Sequence, residues 1–161
     1  MRDVPWAQLA VLACCAVQSR RLPIEWMKHT PYERFGWIAL AVWLIPLAMR
    51  PWSRDPRPTA MWPSYVGLVL AFIGTVGDLN AIIYVGTAFA AAALLPPGWR
   101  WLAWLACAAS WWTAFGYLLT SQSTTVVATS RIAVAAIGVA LVLLPLSRAV
   151  RSSPTTTEVP T

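Results

Sequence analysis

The sequence predicts an all-α fold, a multi-pass transmembrane helical bundle of four to five spans, and three observations carry that prediction. Of its 161 residues, 58% are hydrophobic and only 11% are charged, against about 25% charged in ordinary soluble domains. The apolar residues gather into long runs separated by connections rich in Pro, Gly and Arg. Lys and Arg stand singly or in pairs at the ends of those runs, where membrane topology and anionic headgroups favour them. The mean hydropathy of +0.60 agrees. The net charge of +6 and pI near 9.9 are therefore read as membrane signals. The lipid bilayer is the expected partner, and no nucleic acid is.

The bundle is expected over residues 1–147. Its first run, 5–18 (PWAQLAVLACCAVQ), is short against the about 20 residues that a span needs. It is read as an uncleaved first helix, with an interfacial segment or a signal-peptide core as the alternatives. Arg20 to Arg34 forms a polar connection in which Pro23 and Pro31 break any long helix. A span over 35–49 ends at Arg50-Pro51, and the stretch Pro51 to Pro63, with four prolines, is a loop. From Tyr65 to Leu95 the chain is apolar except at Gly77-Asp78-Leu79-Asn80. As a single helix this stretch would reach about 46 Å, well past a hydrocarbon core of about 30 Å. It is therefore read as two antiparallel spans, 63–77 and 79–95, meeting at Asp78. Pro96-Pro97-Gly98 precedes a span over 101–119, and the last span covers 131–147. The tail, 148–161, is rich in Ser, Thr and Pro and is expected to be disordered in the cytoplasm.

Charge sets the expected orientation. With Arg50, Arg54 and Arg57 in the cytoplasm, the Asp78 turn faces outward and Arg100 inward. The Lys/Arg-free loop Thr120 to Ser130 then faces outward, and Arg148 and Arg151 place the C-terminus inside. The first connection, with Arg20, Arg21, Lys28 and Arg34, is the exception. Either it packs against the bundle or the first segment does not span.

Chemistry-bearing residues are few. Cys14, Cys15 and Cys107 form neither a CxxC nor a Cys/His cluster, so no metal, cofactor or disulfide framework is expected. Asp78, with Asn80 beside it, is a candidate for an ion or proton path. The favoured reading is a solvated turn whose carboxylate caps the next helix, because no partner charge is visible. Of eleven tryptophans, Trp26, Trp37, Trp52, Trp62, Trp99 and Trp101 fall at predicted helix ends, as an aromatic belt requires. Trp43, Trp111 and Trp112 lie deeper and are read as packing between helices, with a lipid or ligand groove as the alternative. Small residues recur four apart at Ala88/Ala92, Ala103/Cys107, Ala106/Ser110 and Ala136/Ala140. The face bearing Ala103, Ala106, Cys107 and Ser110 is the expected packing seam for another membrane protein or a second copy.

The run Trp26-Met27-Lys28-His29-Thr30-Pro31-Tyr32-Glu33-Arg34-Phe35-Gly36-Trp37 opens a span that ends in arginine. It is followed by Arg57-Pro58, by Pro63-Ser64 and Gly67-Leu68 opening the next span, and by Gly98-Trp99-Arg100 opening another. In order and spacing, over roughly residues 24–120, this pattern resembles the first part of the exosortase/archaeosortase family. Those multi-pass, transpeptidase-like proteins cut C-terminal sorting signals, and their chemistry uses a Cys, an Arg and a His, in that order, in the second half of a longer chain. Here Cys107 and Arg131 are the candidates for the first two. No His follows them, His29 being the only one in the protein. The resemblance therefore implies a half-length, catalytically silent relative in the bacterial cytoplasmic (inner) membrane, an accessory in envelope protein sorting or export. A small transporter or membrane-complex subunit is one alternative. A cysteine transpeptidase whose missing His comes from a partner is the other.

Overall fold

The structure, a computed structural model, describes residues 6–27, 35–49, 61–95 and 98–151; for Glu25 and residues 144–151 it describes the backbone alone. Every regular element among the described residues is helical, and no strand occurs among them. In chain order they form α1 (Trp6–Gln18), α2 (Arg21–Met27), α3 (Gly36–Trp43), α4 (Ile45–Ala48), α5 (Trp62–Val76), α6 (Asn80–Ala92), α7 (Trp99–Ala106), a 3₁₀ segment (Cys107–Trp111), α8 (Thr113–Leu118) and α9 (Thr124–Arg151).

The Tyr65–Leu95 stretch folds as an antiparallel hairpin hinged at Asp78. Pro63 opens α5 in the first turn, where its missing N–H costs no bond. At the other end Asp78 takes left-handed backbone (φ 52°). Leu79 N–H then reaches the Gly74 carbonyl at 2.8 Å, and Asp78 N–H points to that of Thr75 at 3.4 Å. That pair of reversed bonds closes a helix by the Schellman arrangement, and a short polar residue tolerates the conformation. The two helices touch backbone to backbone. A Cβ on Gly67 would lie 2.7 Å from the Gly86 carbonyl oxygen, and one on Gly86 would lie 2.7 Å from that of Gly67. Ala71 and Ala90, four residues beyond each glycine, are fully buried and meet Cys15 of α1. Small side chains let backbones approach, so dispersion contacts replace the hydrophobic drive that lipid would not supply.

Hydroxyl groups hold α1 against this hairpin. Ser19 and Thr87 share a 2.7 Å hydrogen bond, and Thr75 donates to Gln18 Oε1 at 2.8 Å. The connection after α1 is shorter than expected, because α2 begins at Arg21 and holds Pro23 in its first turn. A proline there breaks nothing. Trp26 of α2 lies against Gly36, where any Cβ would overlap the indole. That contact gives the Trp26…Phe35-Gly36 spacing a packing role. Pro31 and the loop arginines Arg50, Arg54 and Arg57 lie outside the described residues, as do Trp52 and His29.

The expected spans 5–18, 63–77 and 79–95 match helices closely, and three other expectations need correction. The span 35–49 is interrupted at Leu44, just before Pro46, which cannot donate a helical bond. The span 101–119 is broken twice, tightening to 3₁₀ at Cys107 and turning extended at Trp112 (ψ 147°). No Pro or Gly marks either break, so tertiary contacts impose them. The last helix begins at Thr124, seven residues before Arg131, and continues through Arg151, so 148–151 are helical rather than disordered. One described helix is long and apolar enough to cross a membrane, Thr124–Leu143 in α9, with mean hydropathy 2.2. Trp6–Gln18, Gly36–Ala48, Trp62–Val76 and Asn80–Ala92 are apolar but shorter; 13 residues rise only about 20 Å.

Candidate functional site

Helix breaks expose backbone carbonyls, and the core is organised around three of them. At Leu44, the Leu47 N–H turns back to the Leu44 carbonyl (3.0 Å) instead of reaching Trp43. The Trp43 carbonyl instead accepts Trp104 Nε1–H at 3.0 Å. Trp104 stands at the changeover to 3₁₀ geometry, where N–H groups reach three residues back rather than four. Its carbonyl accepts Trp43 Nε1–H at 2.9 Å. The two indoles stack with centroids 4.0 Å apart and planes 5° from parallel. Trp111 leans on Trp43 (5.8 Å) and on Tyr84 (6.3 Å), so one aromatic group joins α3, α6, α7 and the 3₁₀ segment.

The third carbonyl is that of Ser110, near the end of the 3₁₀ segment. Arg131 of α9, fully buried, donates to it from Nη1 at 2.7 Å, with the guanidinium carbon 5.8 Å from the Phe115 ring centroid. A cation at the C-terminal end of a helix meets both the unmatched carbonyl and the negative end of the helix dipole. Arg131 is thus two turns inside a helix and not at its start as expected. Ser110 Oγ, Trp111 Nε1 and Trp112 Nε1, all in the same stretch, meet no partner among the described residues.

Cys107 faces α9 as well, but at another level. A Cβ on Gly138 would lie 2.8 Å from Cys107 Cβ and 3.3 Å from its Sγ. Gly138 is seven residues beyond Arg131, two turns along the same helix. The structure therefore brings the Cys107 and Arg131 helices side by side and sets the two side chains against different neighbours. No group of three or more His, Cys, Asp or Glu able to hold a metal occurs among the described residues.

The expected seam divides. Ser110 is buried and Cys107 is covered by α9, while Ala103 is half-buried and Ala106 exposed beside an exposed Leu102. The closest small-residue contact is the Gly67–Gly86 crossing, which the alanine pairs did not indicate.

Asp78 and Asn80 lie at the opposite end of the hairpin from Trp62 and Trp101. The N-cap residue of α6 is Leu79, whose side chain makes no bond there. The Asp78 carboxylate accepts from Arg21 Nη1 at 2.7 Å, a partner 57 residues upstream. The arginine of the exceptional first connection thus packs against the hairpin turn. The pair is exposed (56% and 77%), so its direct contribution to stability is about 1 kcal/mol or less. Beside it opens a cleft of about 300 Å³ lined by Val17, Gln18, Arg20, Arg21, Thr75, Asp78, Asn80 and Ile83.

Compared with protein-family models, with curated proteins and with solved structures, the chain matches none of them.

Proposed function

We propose that the chain is a multi-pass protein of the bacterial cytoplasmic membrane, a non-catalytic accessory that works by associating with another membrane protein in envelope protein sorting or export. The observation that carries the membrane reading is the outer side of α5. Tyr65, Leu68, Val69, Phe72, Ile73 and Val76 are all exposed there, Phe72 at 66%, and no charged residue lies among them. Water would not leave a helix face of this kind uncovered; lipid would. The shorter apolar helices would cross a core of about 30 Å with help from flanking residues and local thinning. Trp6, Trp37, Trp62 and Trp99, all exposed near helix ends, suit the headgroup level.

The role in sorting or export rests on the resemblance to exosortases. The Arg21–Asp78 pair sits exposed at a helix end, which speaks against a transport path needing paired charge at depth. One observation favours a second reading: the helices of Cys107 and Arg131 pack side by side, as a transpeptidase completed by a partner's His would need.

The test is recovery of tagged wild type and Ala106→Leu in mild detergent at matched expression. Ala106 is exposed, so added bulk obstructs a partner and not the chain's own core. Overpacking of about 1–3 kcal/mol weakens association by roughly five- to over a hundredfold. Wild type should bring down a membrane component of the sorting or export apparatus, and the variant should not. Wild type running as a lone monomer would remove the accessory role. Cys107→Ala should leave the host's sorting phenotype intact, and its loss at normal protein level would favour the second reading.

A further inference from the structure

We propose that the cleft between the end of α1 and the Asp78 turn binds the headgroup of an anionic phospholipid, taking a phosphodiester with one negative charge. The inference rests on the membrane reading, which puts this end of the hairpin at the headgroup level. The cleft's charges are the guanidiniums of Arg20 and Arg21 and the carboxylate of Asp78, a balance of one positive charge. Arg21 gives Asp78 one Nη1 bond at 2.7 Å and remains 56% exposed. A guanidinium has five N–H donors in a planar fork, so Arg21 keeps capacity for a second acceptor. Arg20 is exposed beside it. Two arginine forks side by side suit phosphate oxygens, which accept such donors bidentately.

The remaining walls fit the rest of a lipid. The Asp78 carboxylate, which takes one bond from Arg21, has lone pairs left to accept from headgroup hydroxyls. Val17 and Ile83 form the apolar wall, and exposed Val76 and Leu79 continue it outside the cleft, along the path that acyl chains would take. About 300 Å³ holds a headgroup, not a whole lipid. Free phosphate shares the chemistry of the arginines but has no use for this apolar border.

The experiment is equilibrium binding to the purified full-length protein in detergent. The probes are dioctanoyl phosphatidylglycerol, dioctanoyl phosphatidylcholine and inorganic phosphate. Phosphatidylglycerol should bind saturably and the other two at least about tenfold more weakly: both lipids carry the phosphodiester, but the fixed cation of choline is repelled by the two arginines, and inorganic phosphate has no chains for the apolar border. Arg20→Gln spares the Arg21–Asp78 pair and should weaken phosphatidylglycerol by about tenfold. Asp78→Asn keeps a residue suited to left-handed backbone and raises the charge of the cleft, so it should bind at least as tightly as wild type. Equal binding of the two lipids, equal binding of inorganic phosphate, or no effect of Arg20→Gln would each overturn the proposal. Those failures are separable from failure of the membrane reading, which cysteine labelling in intact cells decides without any lipid titration.

Discussion

Trp104 does two jobs at once, stacking on Trp43 and donating to its carbonyl, and substitutions can separate them. Trp104→Phe keeps a ring and loses the donor. Hydrogen bonds between membrane helices average about 0.6 kcal/mol and reach about 1.7, so the variant should lose about 1 kcal/mol. Trp104→Ala also opens a large cavity and should lose about 3–5 kcal/mol. Unfolding in mixed detergent, followed by near-ultraviolet circular dichroism, measures both; equal losses would mean that the stack contributes nothing. Arg131 poses a different balance. Arg131→Met leaves the Ser110 carbonyl unmet, at about 1–3 kcal/mol, but also removes a buried charge whose desolvation is of similar or larger size. Global stability should therefore shift by about 1 kcal/mol or less, while amide exchange rises at Thr113–Phe115, just past the break that Arg131 secures. Unchanged exchange would sink that assignment. At this scale the sequence identified Trp43, Trp111 and Trp112 as deep but not Trp104. Its partner is a carbonyl that becomes available only because a helix breaks at Cys107, and no Pro or Gly announces that break.

The hairpin α5–α6 is the element whose packing is most sharply defined. Gly86→Val puts side-chain carbon where the Gly67 oxygen and the Ala71 nitrogen already lie, 2.7 and 2.8 Å from the Cβ position. The helices must part, and the loss should be about 1–3 kcal/mol, as overpacking commonly costs. Gly98→Ala is the control: its backbone is extended (φ 165°), and a Cβ there meets nothing within 4 Å. It should change the thermal midpoint negligibly, whereas Gly86→Val should lower it clearly. The turn at Asp78 was legible because a helix of about 46 Å exceeds a membrane core and Gly77-Asp78 offers a stop. The seam was less legible. Glycine and alanine at four-residue spacing occur on several helices, and only the folded arrangement selects Gly67/Ala71 against Gly86/Ala90. Pro23 shows the complementary limit, since position within a helix decides whether a proline breaks it.

For the whole molecule, long apolar runs with few charges pointed to helices, which satisfy their own backbone within each segment, and every regular element among the described residues is helical. The number of crossings is not readable from helix length, since among the described helices only α9 is long and apolar enough to cross a bilayer and the other apolar helices are shorter. The Arg21–Asp78 pair eases the main conflict in the charge pattern, because the exceptional first connection is held against the hairpin turn. The described helices run consistently between two ends. Trp101 sits with Ala92 and Trp62 at one, whereas Trp111 sits with Tyr84 in the half nearer Asp78. Under the proposed membrane reading, alternating crossings would put the Asp78 turn and the start of α9 on one side of the bilayer and the end of α9 on the other. The central claim, that these helices cross the bilayer in that order, is tested by single cysteines at Thr125 and Thr157 in a background with Cys14, Cys15 and Cys107 replaced. In intact cells an impermeant maleimide should label Thr125→Cys and spare Thr157→Cys, which should react only after the membrane is opened. Labelling of Thr157→Cys in intact cells, or protection of Thr125→Cys, would contradict it.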